Sequence, residues 1–585
     1  MSYFLRKSNK SKGIYLQMYE TVWNSETKKP KSRCIETFGY VKDLVSEDIP
    51  NPVVYYEEYV RQKNFERKAF LNDSMRPRAF GECVEKNIGY FLLHTLIEEL
   101  EVKKVIDILA GVTNFRFSVY DMITQLIYAR VISPCSKLKT VSDVFPQLYR
   151  YSPMSEDQVY DGLEFIGGFY NKYIELFNHQ YEKFYKRDYS RVFFDCTNYY
   201  FEIDLPNEDR QKGPSKENRH CPIIGQALLL DSDLVPLGME MFPGNESEKP
   251  YIRKNIEEMK RRYKVDGRTV QVADKGLNCA RNIYAAVKEA DDGYIFSKSI
   301  HGKGLSKTEK EWLLLENSAN TWTDYTDEKG NLKYRLKSCI DDFKYEFEEK
   351  DSVTGKSVKT SFTVREKRIV SYNPSLAKKQ KAEIQKMADK AADCITFKKF
   401  AREELGDAAK YVKIVSKDND GKKIATKIEM DSSKLDEDLA LAGYNLMVTS
   451  ELTMSPEEVY ATYHNLWKIE ESFRITKSYL DARPVYVQKK ETIYGHFLIC
   501  YLSLFLLRVL EIKCFKNQTN AYDIINFIRD FRVAKIDDNS YLNLAKNRDV
   551  NHKLKNLTGI SILDALYLSQ KELDTLLDST MLIDS

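Results

Sequence analysis

From Arg191 to Phe201 the chain reads Arg-Val-Phe-Phe-Asp-Cys-Thr-Asn-Tyr-Tyr-Phe, a run so rich in aromatic and β-branched residues that it reads as a strand buried in a sheet. Asp195 sits in the middle of it. A second short strand, Thr269-Val-Gln-Val-Ala, ends at Asp274 and breaks at Lys275-Gly276. Carboxylates at strand ends are placed to converge at one edge of a sheet, where sites in α/β proteins commonly form. Taken singly, either aspartate also reads as a turn or cap residue.

A third carboxylate lies on a helix. Ser455 is a suitable N-cap, Pro456 fits the first helical position, and Glu458 is placed to complete a capping box. Onward at helical spacing, Val459, Tyr463, Leu466 and Trp467 form an apolar stripe that continues into Glu470 and Lys477. Seven residues turn a helix by about 700°, so Tyr463, Glu470 and Lys477 are expected to stack on one inward face. A carboxylate facing an interior costs several kcal/mol unless a cation or metal compensates it. The plainer alternative is an ordinary surface ion pair between Glu470 and Arg474.

Three carboxylates suit hard-metal chemistry. Mg²⁺ and Mn²⁺ prefer oxygen ligands, and two such ions clamp the attacking and leaving oxygens of an in-line phosphoryl displacement. Tyr463 and Lys477 would then contact a phosphodiester backbone on either side of the cut.

These residues resemble the insertion-sequence DDE transposases of the IS-four superfamily, whose signature carries Tyr, Arg, Glu and Lys at fixed spacing. Here the signature falls on Tyr463, Glu470 and Lys477, with Leu466 where the family has Arg; Lys468 or Arg474 supplies charge nearby. Phe193-Phe-Asp195-Cys-Thr and Val272-Ala-Asp274-Lys-Gly are similar to the family's two aspartate motifs, and Phe242-Pro-Gly-Asn245 to the loop after its third strand. The resemblance spans roughly 190 to 510. It implies that Asp195, Asp274 and Glu470 are catalytic and bind two Mg²⁺ ions, with Mn²⁺ able to substitute. It also chooses Glu470 over the adjacent Glu471, leaving Glu471 a solvated or salt-bridged neighbour. Tyr463, Lys477, Arg474 and Asn245 become expected DNA contacts, and Trp322 a candidate aromatic for a flipped base; an indole packed in a β core is the alternative.

Composition agrees without demanding this. The chain has 585 residues, 43% hydrophobic, with a net charge of +3. Disorder is excluded, but the sum of charge says little about a nucleic-acid partner. The distribution says more: residues 1–34, 248–264 and 378–399 are each strongly biased towards Lys and Arg. Solvated helix faces and loops would look the same. Ten cysteines show no Cys-x-x-Cys pair, so neither a zinc ribbon nor a disulfide framework is indicated, and His220-Cys221 is incidental. The N-terminus lacks the apolar core of a signal peptide, and the greasy run Phe497–Leu507 stops at Arg508, short of a bilayer span. It reads as a buried helix, with no membrane partner and a cytoplasmic setting expected.

The expected fold is α/β: a ribonuclease H-like mixed sheet with a large, mostly antiparallel β insertion, preceded by a small β-rich head and a helical region. The segments are 1–65, a basic β-rich head suited to DNA ends; 66–188, helical, for DNA binding or dimerisation; 189–299, the first part of the core; 300–440, the insertion; 441–510, the second part with the Glu470 helix; and 511–585, helical. A Tyr-rich helix is expected near 160–186, a hairpin around Ser232-Asp233, and turns at Glu328–Asn331, Thr354-Gly355 and Asn419–Gly421. The stretch from Asp274 to Glu470 is far too long for a simple connection, hence the insertion.

Cut-and-paste DNA transposition is therefore the expected function, on double-stranded DNA at element ends and target, with a homodimer joining two ends. Two rivals share the motifs: a metal-dependent nuclease that never transfers strands, and a transposase-derived DNA-binding protein without activity.

Overall fold

The computed structural model describes the chain except residues 1–2, 25–28, 47–48, 75–83, 204, 215–220, 315–321, 351–354, 397–404, 418–422, 538, 547 and 579–585. His220, Thr354 and the turn expected at Asn419–Gly421 lie outside the described residues. Two compact units divide the chain: residues 1–84 with 535–541, and residues 85–534 with 542–585.

The first unit is an antiparallel sheet of β1 (Tyr3–Lys10), β2 (Gly13–Asn24) and β3 (Lys29–Tyr40), with β2 in the middle. The helix Pro52–Ser74 covers one face. Alternation along β2 turns Leu16, Met18 and Glu20 to that covered face, where all three are buried. Glu20 is compensated there by Arg33 at 2.7 Å and Arg67 at 3.1 Å. Asn64 on the helix exchanges hydrogen bonds with the Tyr3 main chain at 2.7 and 2.8 Å.

In the second unit a nine-stranded mixed sheet dominates. Its core comprises β4 (Arg191–Tyr200), β5 (Ile223–Leu230), β6 (Pro236–Pro243), β7 (Val270–Ala273) and β8 (Gly293–Lys298). The first three run antiparallel, with a tight turn at Asp231–Val235 where the sequence places one; β7 and β8 then continue parallel to β4. The basic helix Lys249–Tyr263 makes the crossover to β7 and packs Ile252, Ile256 and Met259 onto the sheet. Each such side chain removed from water stabilises the fold by about 1.5–3 kcal/mol.

The segment between Asp274 and Glu470 enlarges this same sheet. Beyond β8 come β9 (Thr323–Thr326), β10 (Leu332–Lys350), β11 (Ser357–Tyr372), the hairpin β12 (Val412–Lys417) and β13 (Lys423–Met430), and β14 (Tyr444–Thr449). The order across the sheet is β9-β10-β11-β14-β8-β7-β4-β5-β6. β14 pairs antiparallel with both β8 and β11, so the antiparallel strands expected as an insertion are hydrogen-bonded into the core sheet. The turn at Asp327–Asn331 falls where the sequence signals it, with Gly330 at φ +80°. The hairpin β12–β13 forms a separate small sheet beside the helix Pro374–Thr396.

The helices before β4 are Phe91–Glu99, Val102–Ala110, Val119–Ile132, Glu156–Gly168 and Tyr170–Phe184. The single Tyr-rich helix expected near 160–186 is thus two helices meeting at Phe169. Phe91–Glu99, Val119–Ile132, Glu156–Gly168 and Tyr170–Phe184 pack against the helix Lys490–Val509; the run Lys490–Cys514 is long and apolar enough to cross a membrane by length and composition, and 94% of its apolar window is buried in the protein. It is the buried helix expected at Phe497–Leu507. It meets the Glu156–Gly168 helix backbone to backbone, because Gly167 and Gly495 leave no side chain between them: a Cβ on Gly167 would overlap the Glu491 carbonyl, and one on Gly495 the Leu163 carbonyl.

Candidate active site

Register brings the two aspartates together. In the parallel pairing of β4 with β7 the last matched residues are Phe194 and Ala273, so Asp195 and Asp274 follow side by side on strands roughly 4.8 Å apart. Phe194 and Ala273 both belong to the hydrophobic core on one face of the sheet. The next residues turn to the opposite face, and both aspartates there are partly open to solvent. Asp195 accepts the Cys196 amide at 2.7 Å.

The expected helix covers that face, in two pieces. Pro456–His464 carries the full capping box, Ser455 with Glu458, and packs against β7, β8 and β14. At Asn465-Leu466 the turn tightens: the Leu466 and Lys468 amides reach back only three residues, to Tyr463 and Asn465, both at 3.0 Å. Trp467–Arg474 then follows and lies against β4. It ends in a wide turn in which the Leu480 amide bonds the Ile475 carbonyl at 2.8 Å. A uniform stack of Tyr463, Glu470 and Lys477 at constant helical pitch is therefore corrected, since the pitch narrows once and widens once along it.

Tyr463 nevertheless bonds Asp274, and Glu470 feels its charge. The Tyr463 hydroxyl donates to Asp274 Oδ1 at 3.1 Å. Burial raises the Tyr463 phenol, the Asp274 charge raises it further, and a hydrogen bond with Ser297 acts the other way. The Glu470 carboxyl is pushed above its ordinary range, first by partial desolvation and then by Asp274, with Arg474 opposing. Glu470 remains exposed, so the expectation that its carboxylate faces the interior is corrected. Trp467, expected in the apolar stripe, is 49% exposed, while Ile469 and Phe473 fill the packed side.

The buried glutamate is Glu471. One residue turns a helix by about 100°, enough to exchange groove for core. Glu471 is held by Lys468 at 3.1 Å and by Arg508 at 3.0 Å, and the same two cations hold Glu511 at 2.8 and 2.5 Å. Arg508 is fully buried and also donates to Ser472 and the Lys468 carbonyl. Glu471 is thus salt-bridged, as the sequence allowed, but not solvated.

Arg474 is not within ion-pair distance of Glu470 among the described residues; its guanidinium donates to the Tyr522 hydroxyl at 2.7 Å. Lys477 lies over β4, 5.3 Å from the Tyr199 ring. Asn245 and its neighbour Gly244 line a cleft of about 550 Å³ with Thr197 and Asn198, just past Asp195, and Gly276, just past Asp274. Trp322 is elsewhere. It packs against the core with Arg335 and Lys337 4.8 and 4.6 Å from its ring, in the alternative position its sequence allowed.

Sequence reasoning missed Ser297 and Asn445, joined at 3.0 Å beneath Tyr463, and the cleft residues Thr197 and Asn198. Being small polar residues on strands, they carry no spacing signal. As the side chains stand, no three His, Cys, Asp or Glu among the described residues gather closely enough to hold one ion. The site is a solvent-open acidic edge: two aspartates in register, a glutamate that feels the charge of one of them, and a tyrosine joining helix to strand.

A search of curated proteins finds no match. Among solved structures, the piggyBac transposase in its synaptic complex with hairpin DNA is 12% identical, with 77% of this chain and 87% of that chain covered at a TM-score of 0.24. Residues 188–506, more than half of the chain and spanning every carboxylate of the site, match the family model described as the transposase DDE domain, and the chain belongs to that family.

Proposed function

We propose that this protein is a DNA transposase of the IS-four superfamily type that cuts at the ends of an element and joins the freed 3′-hydroxyls to target DNA. Membership of the DDE family supports nuclease and transesterase chemistry, and the strand order, three antiparallel strands followed by two parallel to the first, supports a ribonuclease H-like core. The observation that carries the reading is the hydrogen bond from Tyr463 to Asp274, beside the register-matched Asp195 and with Glu470 within reach of the Asp274 charge.

DDE transposases use divalent metals, and the donor set fits them: three carboxylates, hard oxygen donors all, with Glu470 disfavoured as an anion beside Asp274. Asp195, Asp274 and Glu470 would hold Mg²⁺, with Mn²⁺ able to replace it, and holding an ion requires them to draw closer than they stand. When bound, such ions supply charge neutralisation at a phosphoryl group. The chain's own residues do the rest. Tyr463 orients Asp274, the helix delivers Glu470 to the strand ends, and Lys477 and Arg474 offer positive charge to a DNA backbone on either side. Asn245, Thr197 and Asn198 line a cleft with room for the strand next to the cut. Two ends must be held for joining, which favours a dimer on DNA.

The test is strand cleavage on a duplex carrying an element end, with Mg²⁺ or Mn²⁺. Asp195→Asn, Asp274→Asn and Glu470→Gln should each abolish cutting and leave end binding largely intact. Cleavage by any one of them at the native rate sinks the assignment. Supplying a pre-cut 3′-hydroxyl end with target DNA separates transfer from hydrolysis: joined product is expected, and hydrolysis alone would make the protein a nuclease.

A further inference from the structure

The uncovered face of the three-stranded sheet in the first unit has a chemistry unlike its covered face. Alternation turns Tyr15, Gln17 and Tyr19 of β2 to it, and the register sets Phe4 opposite Tyr19 and Arg6 opposite Gln17 on β1, with Tyr40 opposite Tyr15 on β3. The Arg6 guanidinium lies 4.9 Å from the Tyr19 ring and the Lys10 ammonium 3.9 Å from the Tyr15 ring. Tyr15 and Tyr40 meet edge to face at 4.7 Å, and Gln17 is held by Thr37 at 3.2 Å.

Acidic groups are kept off this face. Among the described residues of the three strands the acids are Glu20 and Glu36: Glu20 is buried against Arg33 and Arg67, and Glu36 accepts from Tyr59 of the covering helix. Lys7, next to Arg6 but turned inward, is neutralised by Glu57 at 2.5 Å. Arg6 and Lys10 are exposed and have no carboxylate within ion-pair distance among the described residues. Each rests on an aromatic ring instead.

Flat rings beside unneutralised cations match a ligand with flat π faces and regularly spaced negative charge. In an intact duplex the base faces are hidden by stacking, and only an unpaired strand presents them to an aromatic platform. We propose that this sheet face binds an unpaired DNA strand, with bases on Tyr15 and Tyr19 and phosphates at Arg6 and Lys10. The site uses none of the three carboxylates and needs no metal.

Fluorescence anisotropy of the full chain with a short labelled DNA strand, in EDTA so that nothing is cut, tests it. Tyr15→Ala combined with Tyr19→Ala should weaken binding by about tenfold or more, while the matching Tyr→Phe pair and the inward-facing Lys7→Ala leave it unchanged. Arg6→Ala with Lys10→Ala should lower the salt slope by about 1.4, near 0.7 for each phosphate contact. Native binding by the double Ala variant, or a preference for blunt duplex or RNA over the DNA strand, would overturn the proposal. Failure here leaves cleavage by the Asp274 site untouched, and loss of cleavage in an Asp274 variant leaves this binding untouched, so the two readings fail separately.

Discussion

The Tyr463 hydroxyl donates to Asp274 Oδ1 across 189 residues of sequence, at 3.1 Å. This contact ties the last turn of the Pro456–His464 helix, just before the helix of Glu470, to the end of a sheet strand. Tyr463→Phe should cost about 1 kcal/mol of stability or less, the range of a single hydrogen bond. Its effect on divalent-ion affinity should be larger, about 10–100-fold, as for partners that orient a metal's ligands. Calorimetric titration with Mn²⁺ alongside thermal melting separates the two; equal affinity in variant and parent would remove Tyr463 from the site.

Adjacent glutamates should fail in different ways. Arg508→Met leaves Glu471 and Glu511 buried with half of their compensation gone, and should destabilise the protein by about 3–5 kcal/mol. Glu470→Gln should fold well and lose cleavage. Urea unfolding midpoints beside cleavage rates distinguish them, and a stable but inactive Arg508→Met would contradict the structural role given to that network.

Partial desolvation and the Asp274 charge both disfavour the ionised Glu470 carboxyl, which destabilises the metal-free site. Glu470→Gln should therefore melt higher than the parent in EDTA. Mg²⁺ or Mn²⁺ should raise the parent's melting temperature with the logarithm of concentration and raise that of the variant less. A parent whose melting ignores divalent ions up to millimolar levels would refute the ligand assignment.

Asp438 gives the clearest acid dependence. Burial alone would raise its carboxyl, but hydrogen bonds from Lys434, Lys410 and Tyr411 outweigh that and hold it at about 2, below the usual 3.8. A depressed carboxyl contributes stability that is complete above 3.8 and lost as pH falls through about 2. The contribution is about 2 kcal/mol, from a shift of nearly two units at 1.36 kcal/mol each. Asp438→Asn should lose that amount at pH 7 and almost none at pH 2. Denaturant midpoints across this range report it, and a variant penalty independent of pH would refute it.

Gly167→Ala should be among the most damaging single-methyl additions in the chain, since the new Cβ meets backbone that cannot turn aside. A loss of about 1–3 kcal/mol is expected from overpacking, against almost none for Gly168→Ala, whose Cβ would meet open space. Thermal melts of the pair decide it.

Local chemistry in the sequence was enough for the Ser455 capping box, the Asp231–Val235 turn and the strands carrying Asp195 and Asp274, because each depends on residues within a few positions. The break at Lys275-Gly276 also marked Asp274 as a strand-end carboxylate placed to converge with Asp195 at one edge. The exchange of Glu470 and Glu471 was not legible, because the cations that draw Glu471 inward include Arg508, on a helix whose packing no local pattern reveals. Trp467 misled for the same reason: it stays 49% exposed, its ring 4.4 Å from the Lys468 ammonium, while Lys468 serves the buried network. The antiparallel runs from 323 to 372 carried correct strand signals, as did the turn signal at Glu328–Asn331, but pairing of β14 with both β8 and β11 is a long-range choice that alternation leaves open.

That double pairing has a mechanical consequence. Strand β14 ends at Thr449, shortly before Ser455 opens the helix that leads to Glu470, and its ladders weld the long β10–β11 hairpin to the strands bearing the aspartates. Such a hairpin is no swinging arm on a hinge: displacing it means shearing main-chain hydrogen bonds or twisting the platform beneath the carboxylates. A load applied at the Lys350–Ser357 pair, some ten residues beyond the last β14 pairing, is transmitted as torque to the carboxylate edge.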